Sequence, residues 1–364
     1  MSSSLGQKLK VHVFGQSHSR GLGVVMDGFP AGEEIDMDRV RAFLLRRSGG
    51  KEKGAHSTAR EESDEPEILS GLLGSKTCGA PLCAIFANDD ARGEDYENLS
   101  LVPRPSHADY AAFVKHGGQN DRRGGGHFSG RLTLPLCFAG AVCLQALERK
   151  GVSVDARIAS IENINDDPFD WESAKKFYSD DFPTASREAS EKMRRAIEEA
   201  AAQGDSVGGT IECCVRGLRA GLGSPFFDTV EGRLAQALFA IPAVKGVEFG
   251  AGFGAAAMRG SACNDPFFME EGRIKTRANN SGGAQGGLTN GMPVVFRTAF
   301  KPTPSILIPQ ESLRLDDGTS VTAHIKGRHD SCVVPRALPA VIAAAAIVAL
   351  DLILEEEGSR FYDR

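Results

Sequence analysis

Hydrophobic and polar positions along the 364-residue chain follow two rhythms. Short runs that alternate or are rich in β-branched residues recur as LKVHVFG, PLCAIFA, GTIECCVRG, MPVVFRTAF, SILIP and SVTAHI, each ending near Gly, Pro or Asn. A two-residue period closed by turn residues predicts strands. Between these runs the period lengthens to that of helices, at Asp38–Arg47, Ala185–Gln203 and Phe227–Ala240. In the second of these, Met193, Ala196, Ile197 and Ala200 share one face and charges fill the other, the pattern of a half-buried helix. Leu134–Lys150 is apolar on most faces, which predicts a buried helix, and a C-terminal helix is expected at about 338–356.

Helices and strands alternate irregularly, without a repeat and without a break in composition. The stretch Asp166–Asp181, rich in Asp, Pro and aromatic residues, reads as a surface excursion. The expected architecture is α+β, a single large domain over residues 1–364 with antiparallel β-sheets sandwiched by helices.

Composition narrows the function classes. Charged residues make up 25% and hydrophobic residues 41%, as in ordinary soluble domains. A net charge of -6 argues against a general nucleic-acid binder. The N-terminal MSSSLGQKLKVHVFG lacks the apolar stretch of a signal peptide. The longest apolar run, Ala337–Leu350, is short for a bilayer and contains Pro339. The eight cysteines form no CxxC pair, so they read as reduced core thiols of a cytoplasmic protein, and no metal site is expected.

Against this acidic background stands RPSHADYAAFVKHGGQNDRRGGGHFSGR, residues 104–131, with three histidines, several arginines and a triple glycine. GGGHFSG, NNSGGAQGGLTNG and GAGFGAAAMRG are glycine-rich loops of the kind whose N–H groups can approach an anion. GFGAAA fits the dinucleotide fingerprint only formally, because Arg259-Gly260 interrupts the helix it should open. There is no GxxxxGK[ST] and no GxSxG.

Three segments join histidine to basic residues. FGQSHSRG carries Ser17 and His18 at the end of the first strand; RPSHADY places His107 between Arg104 and Asp109; KGRHDSCVVPR gathers Lys326, Arg328, His329, Asp330 and Arg336. LLRRSGGKEKG adds Arg46, Arg47, Lys51 and Lys53, and FKPTPSILIP presents Lys301, Thr303 and Ser305 from a strand punctuated by proline. Guanidinium forks suit carboxylates and phosphates, and a histidine beside such an anion is favoured in its protonated, acid form. The residues alone point to an enzyme acting on a polyanionic small molecule.

In this order the segments GQSHS, RRSGG, RPSHAD, RGGGHFSGR, GDSVGG, AGLGSPFFD, PAVKGVEFGAGF, SGGAQGG, KPTPS and GRHDSCVVPRALP resemble the chorismate synthase family, from about Gly6 to about Leu354. The resemblance implies a lyase that converts 5-enolpyruvylshikimate 3-phosphate to chorismate and phosphate, an anti-1,4-elimination needing reduced FMN without net redox change. By position, His18 matches the histidine that protonates the departing phosphate, and His107 the one that protonates the reduced flavin. Asp330 matches the aspartate that assists proton removal from the substrate. The resemblance puts His127, Ser129, Ala243, Gly286, Lys301, Thr303, Ser305 and Arg328 at the flavin. It puts Ser17, Arg47, Lys53, Arg131 and Arg336 at the substrate. It also implies a homotetramer with a helix-rich exterior, and either NADPH-dependent or external reduction of the flavin; the lack of an NADPH fingerprint favours an external system.

The chain departs from the family pattern at Gln16, Ser19, Pro242, Pro304 and Ser331, and most in GGGHFSGRLT, where His127 and Phe128 stand. Two other readings are a flavin- or anion-binding paralogue lacking the elimination, which the His127-Phe128 change favours, and an RNA-binding patch at Arg104–Arg131, which the acidic whole disfavours.

Overall fold

The computed structural model describes residues 3–48, 64–88, 101–171, 177, 181–325 and 330–359. Two five-stranded antiparallel sheets dominate it. The first runs in the order Ser4–Leu5, Lys10–Gly15, Gly21–Asp27, Leu82–Ala87, Glu67–Ser70; the second in the order Val244–Phe249, Val294–Phe300, Gly209–Arg216, Ser153–Ile161, Ile164–Asn165. In the first sheet Leu22, Val24 and Met26 face Phe86, Ala84 and Leu82 across the ladder, and all six are buried. The central strand of the second sheet sets Ile211 and Cys213 beside Ile158 and Ala156 on the core side. Its other side carries a ladder of alternating charge: Arg157 opposite Glu212, Glu212 opposite Arg297, and Arg297 opposite Glu248. Opposite charges in facing positions stabilise such a surface.

Seven helices accompany the sheets among the described residues: α1 (Met37–Arg47), α2 (Asp109–Lys115), α3 (Thr133–Arg149), α4 (Arg187–Ala202), α5 (Val230–Phe239), α6 (Gly260–Cys263) and α7 (Val334–Ser359). The expected α+β class, with antiparallel sheets and helices in layers, is borne out, and one hydrophobic core runs from Leu9 to Ile353. The layer order at the centre is specific. The apolar pair α3 and α7 lies between the sheets, α3 against the first and α7 against the second. They approach so closely that a Cβ on Gly140 would lie 2.2 Å from the Ala343 Cβ, so only glycine fits there. Amphipathic α4 turns Met193, Ile197 and Ala200 inward and is capped by Ser186, which accepts from the Ala189 N–H.

Two expectations change. α7 spans 26 residues, longer than the apolar run suggested, because Pro339 sits within its early turns instead of limiting it. Both α3 and α7 are long and apolar enough to cross a membrane, yet 72% and 89% of their apolar windows are buried within the protein, as core helices require. SILIP forms no strand: the ladder ends at Phe300, and prolines 302, 304 and 309 deny the following stretch its N–H donors.

Candidate active site

The chemistry gathers at one edge of the first sheet. After the strand Lys10–Gly15 the chain turns through Gln16–Ser19, where Ser19 Oγ accepts from the Gln16 N–H (3.0 Å) and donates to Gly21 O (2.7 Å). Asn88 braces this turn from the end of the neighbouring strand, donating to Ser19 O at 2.9 Å and to Gln16 O at 3.2 Å. Ser17 and His18 are thereby held buried, at 2% and 7% exposure. Ser17 Oγ finds no hydrogen-bond partner among the described residues. A buried hydroxyl without a partner is costly unless a ligand completes it.

The triple glycine packs onto this turn. Gly124, Gly125 and Gly126 all have positive φ (57°, 91° and 55°), and Gly126 O accepts from the Ser17 N–H at 3.0 Å. A Cβ on Gly124 would fall 2.3 Å from His18 Cε1, and one on Gly125 would fall 3.1 Å from His107 Cε1. The turn is therefore a wall one residue thick between the two histidines, and no side chain larger than hydrogen fits it. That answers the need for consecutive glycines.

Beyond the wall, Asp109 Oδ1 lies 2.6 Å from His107 Nδ1. Arg104 grips the same carboxylate with its backbone N–H (3.0 Å), Nε (2.7 Å) and a terminal nitrogen (2.8 Å). Burial opposes the charge on Asp109, but the bonds from Arg104 and His107 outweigh it and hold the carboxyl well below the usual carboxylate range. Ser305 Oγ lies 3.5 Å from Arg104, Lys301 Nζ bonds Ser106 O, and the Lys301 N–H donates to Ala243 O at 3.0 Å. Burial, then repulsion from Lys245, lowers the Lys301 ammonium. Thr303 Oγ1 is likewise a buried hydroxyl without a partner among the described residues, as Ser190 and Thr298 are away from the site.

On the His18 side, Arg131 Nε donates to Asn88 Oδ1 at 3.3 Å, and Arg131 and Arg47 together clasp Asp64. Arg336 donates to Arg47 O (3.1 Å) and pairs with Asp330 at 2.6 Å. Three guanidinium groups here face two carboxylates. Burial, with repulsion from Arg336 and Arg131 against the pull of Asp64, brings the Arg47 guanidinium down from its ordinary value to about 10. Guanidinium groups gathered this closely suit an anionic ligand.

A continuous chain of contacts thus joins Asp330, Arg336, Arg47, Asp64, Arg131, Asn88, the His18 turn, the glycines, His107, Asp109, Arg104 and Ser305. Of the residues expected at the site, Ser17, His18, Arg47, His107, Arg131, Lys301, Ser305, Asp330 and Arg336 lie along it or bond to it. Ser129 caps the following turn, accepting from the Arg131 N–H at 3.2 Å. His127 is engaged otherwise: it donates from Nδ1 to Gly15 O (2.8 Å) and accepts at Nε2 from the Ser3 hydroxyl (3.0 Å). Phe128 beside it is 38% exposed. Gly286 tips a short hairpin, and contacts next to it run to Thr229 and Ser224 instead of to the histidines. Lys51, Lys53, Lys326, Arg328 and His329 lie outside the described residues. Asp64 and Asn88 were not foreseen, because their arginine partner is 67 and 43 positions away.

GFGAAA forms a 3-10 helix, Gly252–Ala257, just past the strand Val244–Phe249 and opens no α-helix of dinucleotide type. The chorismate synthase family model matches residues 9–354. Among curated relatives, the chorismate synthase of Dehalococcoides mccartyi is 44% identical over 97% of both chains. That of Thermococcus gammatolerans is 45% identical, over 97% of this chain and 98% of the relative. A solved structure titled as a crystal structure of chorismate synthase superposes with a TM-score of 0.76 at 28% identity, covering 98% of this chain and 95% of the other. The chain belongs to the chorismate synthase family.

Proposed function

We propose that the site eliminates phosphate from 5-enolpyruvylshikimate 3-phosphate to give chorismate, with substrate on the His18 side of the glycine wall and reduced FMN reaching the His107 side. The observation that carries this reading is the pair of histidines separated by one backbone turn beside a three-arginine cluster. The lyase assignment follows from the family.

The residues suit two phosphorylated ligands: three guanidinium groups close together, an amine at Lys301, and buried hydroxyls at Ser17 and Thr303 that find no partner among the described residues. Reduced FMN, when bound, supplies electron density to the breaking carbon–oxygen bond and ends unchanged. Arg47, Arg131 and Arg336 orient the substrate's anionic groups. His18, buried at the wall, gives its proton to the departing phosphate oxygen, which a poor leaving group needs. Asp330, held by Arg336, assists proton removal from the substrate. His107 keeps a proton at Nε2 for the cofactor. Lys301, Thr303 and Ser305 form the flavin-side lining with the turns at Ser129 and Ala243, whereas His127 serves as a clamp.

Solvent-exposed Phe226, Phe227, Phe253, Phe267, Met269 and Ile274 support self-association, consistent with a homotetramer. All eight cysteines are free thiols, which suits a reducing compartment such as the cytoplasm. An external system supplies the reduced flavin in this reading. Anaerobic incubation with pre-reduced FMN and substrate should release phosphate and chorismate in equal amounts. Release of neither, by protein that still binds substrate, would overturn it.

A further inference from the structure

We propose that Asp109 is a positioning residue for His107: its carboxylate fixes a ring proton on Nδ1 and turns Nε2 into the one nitrogen that exchanges a proton with a ligand. The inference rests on His107 acting at the cofactor, and it adds the group that makes this possible.

Three observations carry it. Asp109 Oδ1 is 2.6 Å from Nδ1, a charge-assisted distance. The carboxylate cannot swing away, because three N–H donors of Arg104, itself 7% exposed, hold both its oxygens. Nε2 has no hydrogen-bond partner among the described residues and lies against the wall, 3.2 Å from where a Gly125 Cβ would be. A terminal nitrogen of Arg104 also comes within 3.1 Å of Nδ1, but arginine only donates, so it cannot be the group that accepts the Nδ1 proton.

The chemistry follows from the tautomer. A protonated His107 gives up its Nε2 proton and is left neutral with hydrogen on Nδ1, the form Asp109 already accepts from. Proton uptake reverses the step at the same nitrogen, and neither direction requires the ring to flip. The charged and titratable groups around the ring are Asp109 and Arg104 on its own loop, Lys301, whose Nζ bonds the Ser106 carbonyl next door, and His18 across the glycines. Asp109 is the anion among them, so removing its charge leaves the ring in cationic surroundings.

The test uses full-length protein with 15N-labelled histidine, the His107 signals being identified by their loss in His107→Gln. In the unmutated, ligand-free protein at alkaline pH, His107 should be the Nδ1–H tautomer; an Nε2–H tautomer would overturn the proposal with no variant needed. Asp109→Asn should mix the tautomers and lower kcat by about tenfold or more with the substrate KM unchanged, while Asp109→Glu restores part of both. A wild-type tautomer and kcat in folded Asp109→Asn would also overturn it. If instead His107→Gln itself turns over normally, the role given to His107 fails, whatever Asp109 does to the ring.

Discussion

Two buried arginine clusters in this molecule are built in opposite ways. At the first, Asp351 on α7, 1% exposed, accepts the backbone N–H groups of Gln7 (2.8 Å), Lys8 (2.8 Å) and Leu9 (2.7 Å) and pairs with Arg233 of α5, which also reaches Glu355 at 2.5 Å. Two carboxylates of one helix meet one guanidinium, and main-chain donors hold Asp351 as well. At the second, Arg47, Arg131 and Arg336 gather around Asp64 and Asp330, and Arg47 Nε has no partner among the described residues. The clamp ties one guanidinium to carboxylates of a single helix; the site brings three guanidinium groups from separate elements together. The difference separates side chains that hold the fold from those that hold a ligand, although both are buried arginines.

The comparison breaks first at the clamp. Asp351→Ala should lower stability by about 3–5 kcal/mol, because it strands three N–H groups and removes a partner of a buried charge. Denaturant unfolding checks this, and substrate affinity well below the transition should persist. A loss under about 1 kcal/mol would put Asp351 outside the clamp.

Arg47→Met should do the reverse. Asp64 keeps Arg131 and an apolar chain fills the space, so stability should move by less than about 1 kcal/mol. Substrate affinity should drop about 100-fold, near 2.7 kcal/mol, by calorimetry. Full affinity with a destabilised fold would reverse the two labels.

Alkaline pH sharpens the contrast. Arg47, at about 10, loses its proton in the fold at a lower pH than in the unfolded chain, where the guanidinium keeps its higher ordinary value. Between those values the unfolded state holds the extra proton, so stability should rise with pH while anion affinity falls, by up to about tenfold per unit. Both slopes should vanish in Arg47→Met; two slopes of the same sign would contradict the assignment.

The smallest effect is expected at His127, which belongs with the clamp. His127→Ala should cost about 1–2 kcal/mol for two hydrogen bonds and leave kcat within about twofold. A tenfold loss of kcat in an equally stable variant would return His127 to the flavin side.

Much of this was readable along the chain where the pattern is local. Alternation found Leu82–Ala87, Gly209–Arg216 and Val294–Phe300, and spacing found the inner face of α4. Ser153–Ile161 was harder, since its outward Asp155 and Arg157 pair across strands and look like loop charges in one dimension. SILIP read as a strand from its apolar residues, yet Leu307 and Ile308 are 58% and 40% exposed. At the site, motifs found the histidines and arginines. They could not show that Gly124 and Gly125 stand between His18 and His107, nor that Asp64 closes the arginine cluster, because those contacts exist only once distant loops meet.

The clamp also has a consequence for how the protein is made. Asp351 secures residues up to 344 positions earlier in the chain, at the foot of the strand that leads into the His18 turn. On the ribosome, that strand emerges first and must wait for nearly the whole message to be translated before its latch exists. Contacts of such span form late and slowly. The latch on the first strand therefore closes only once α7 has left the exit tunnel, and a translation product cut short before Asp351 is a chain whose Gln7–Leu9 donors lack their carboxylate.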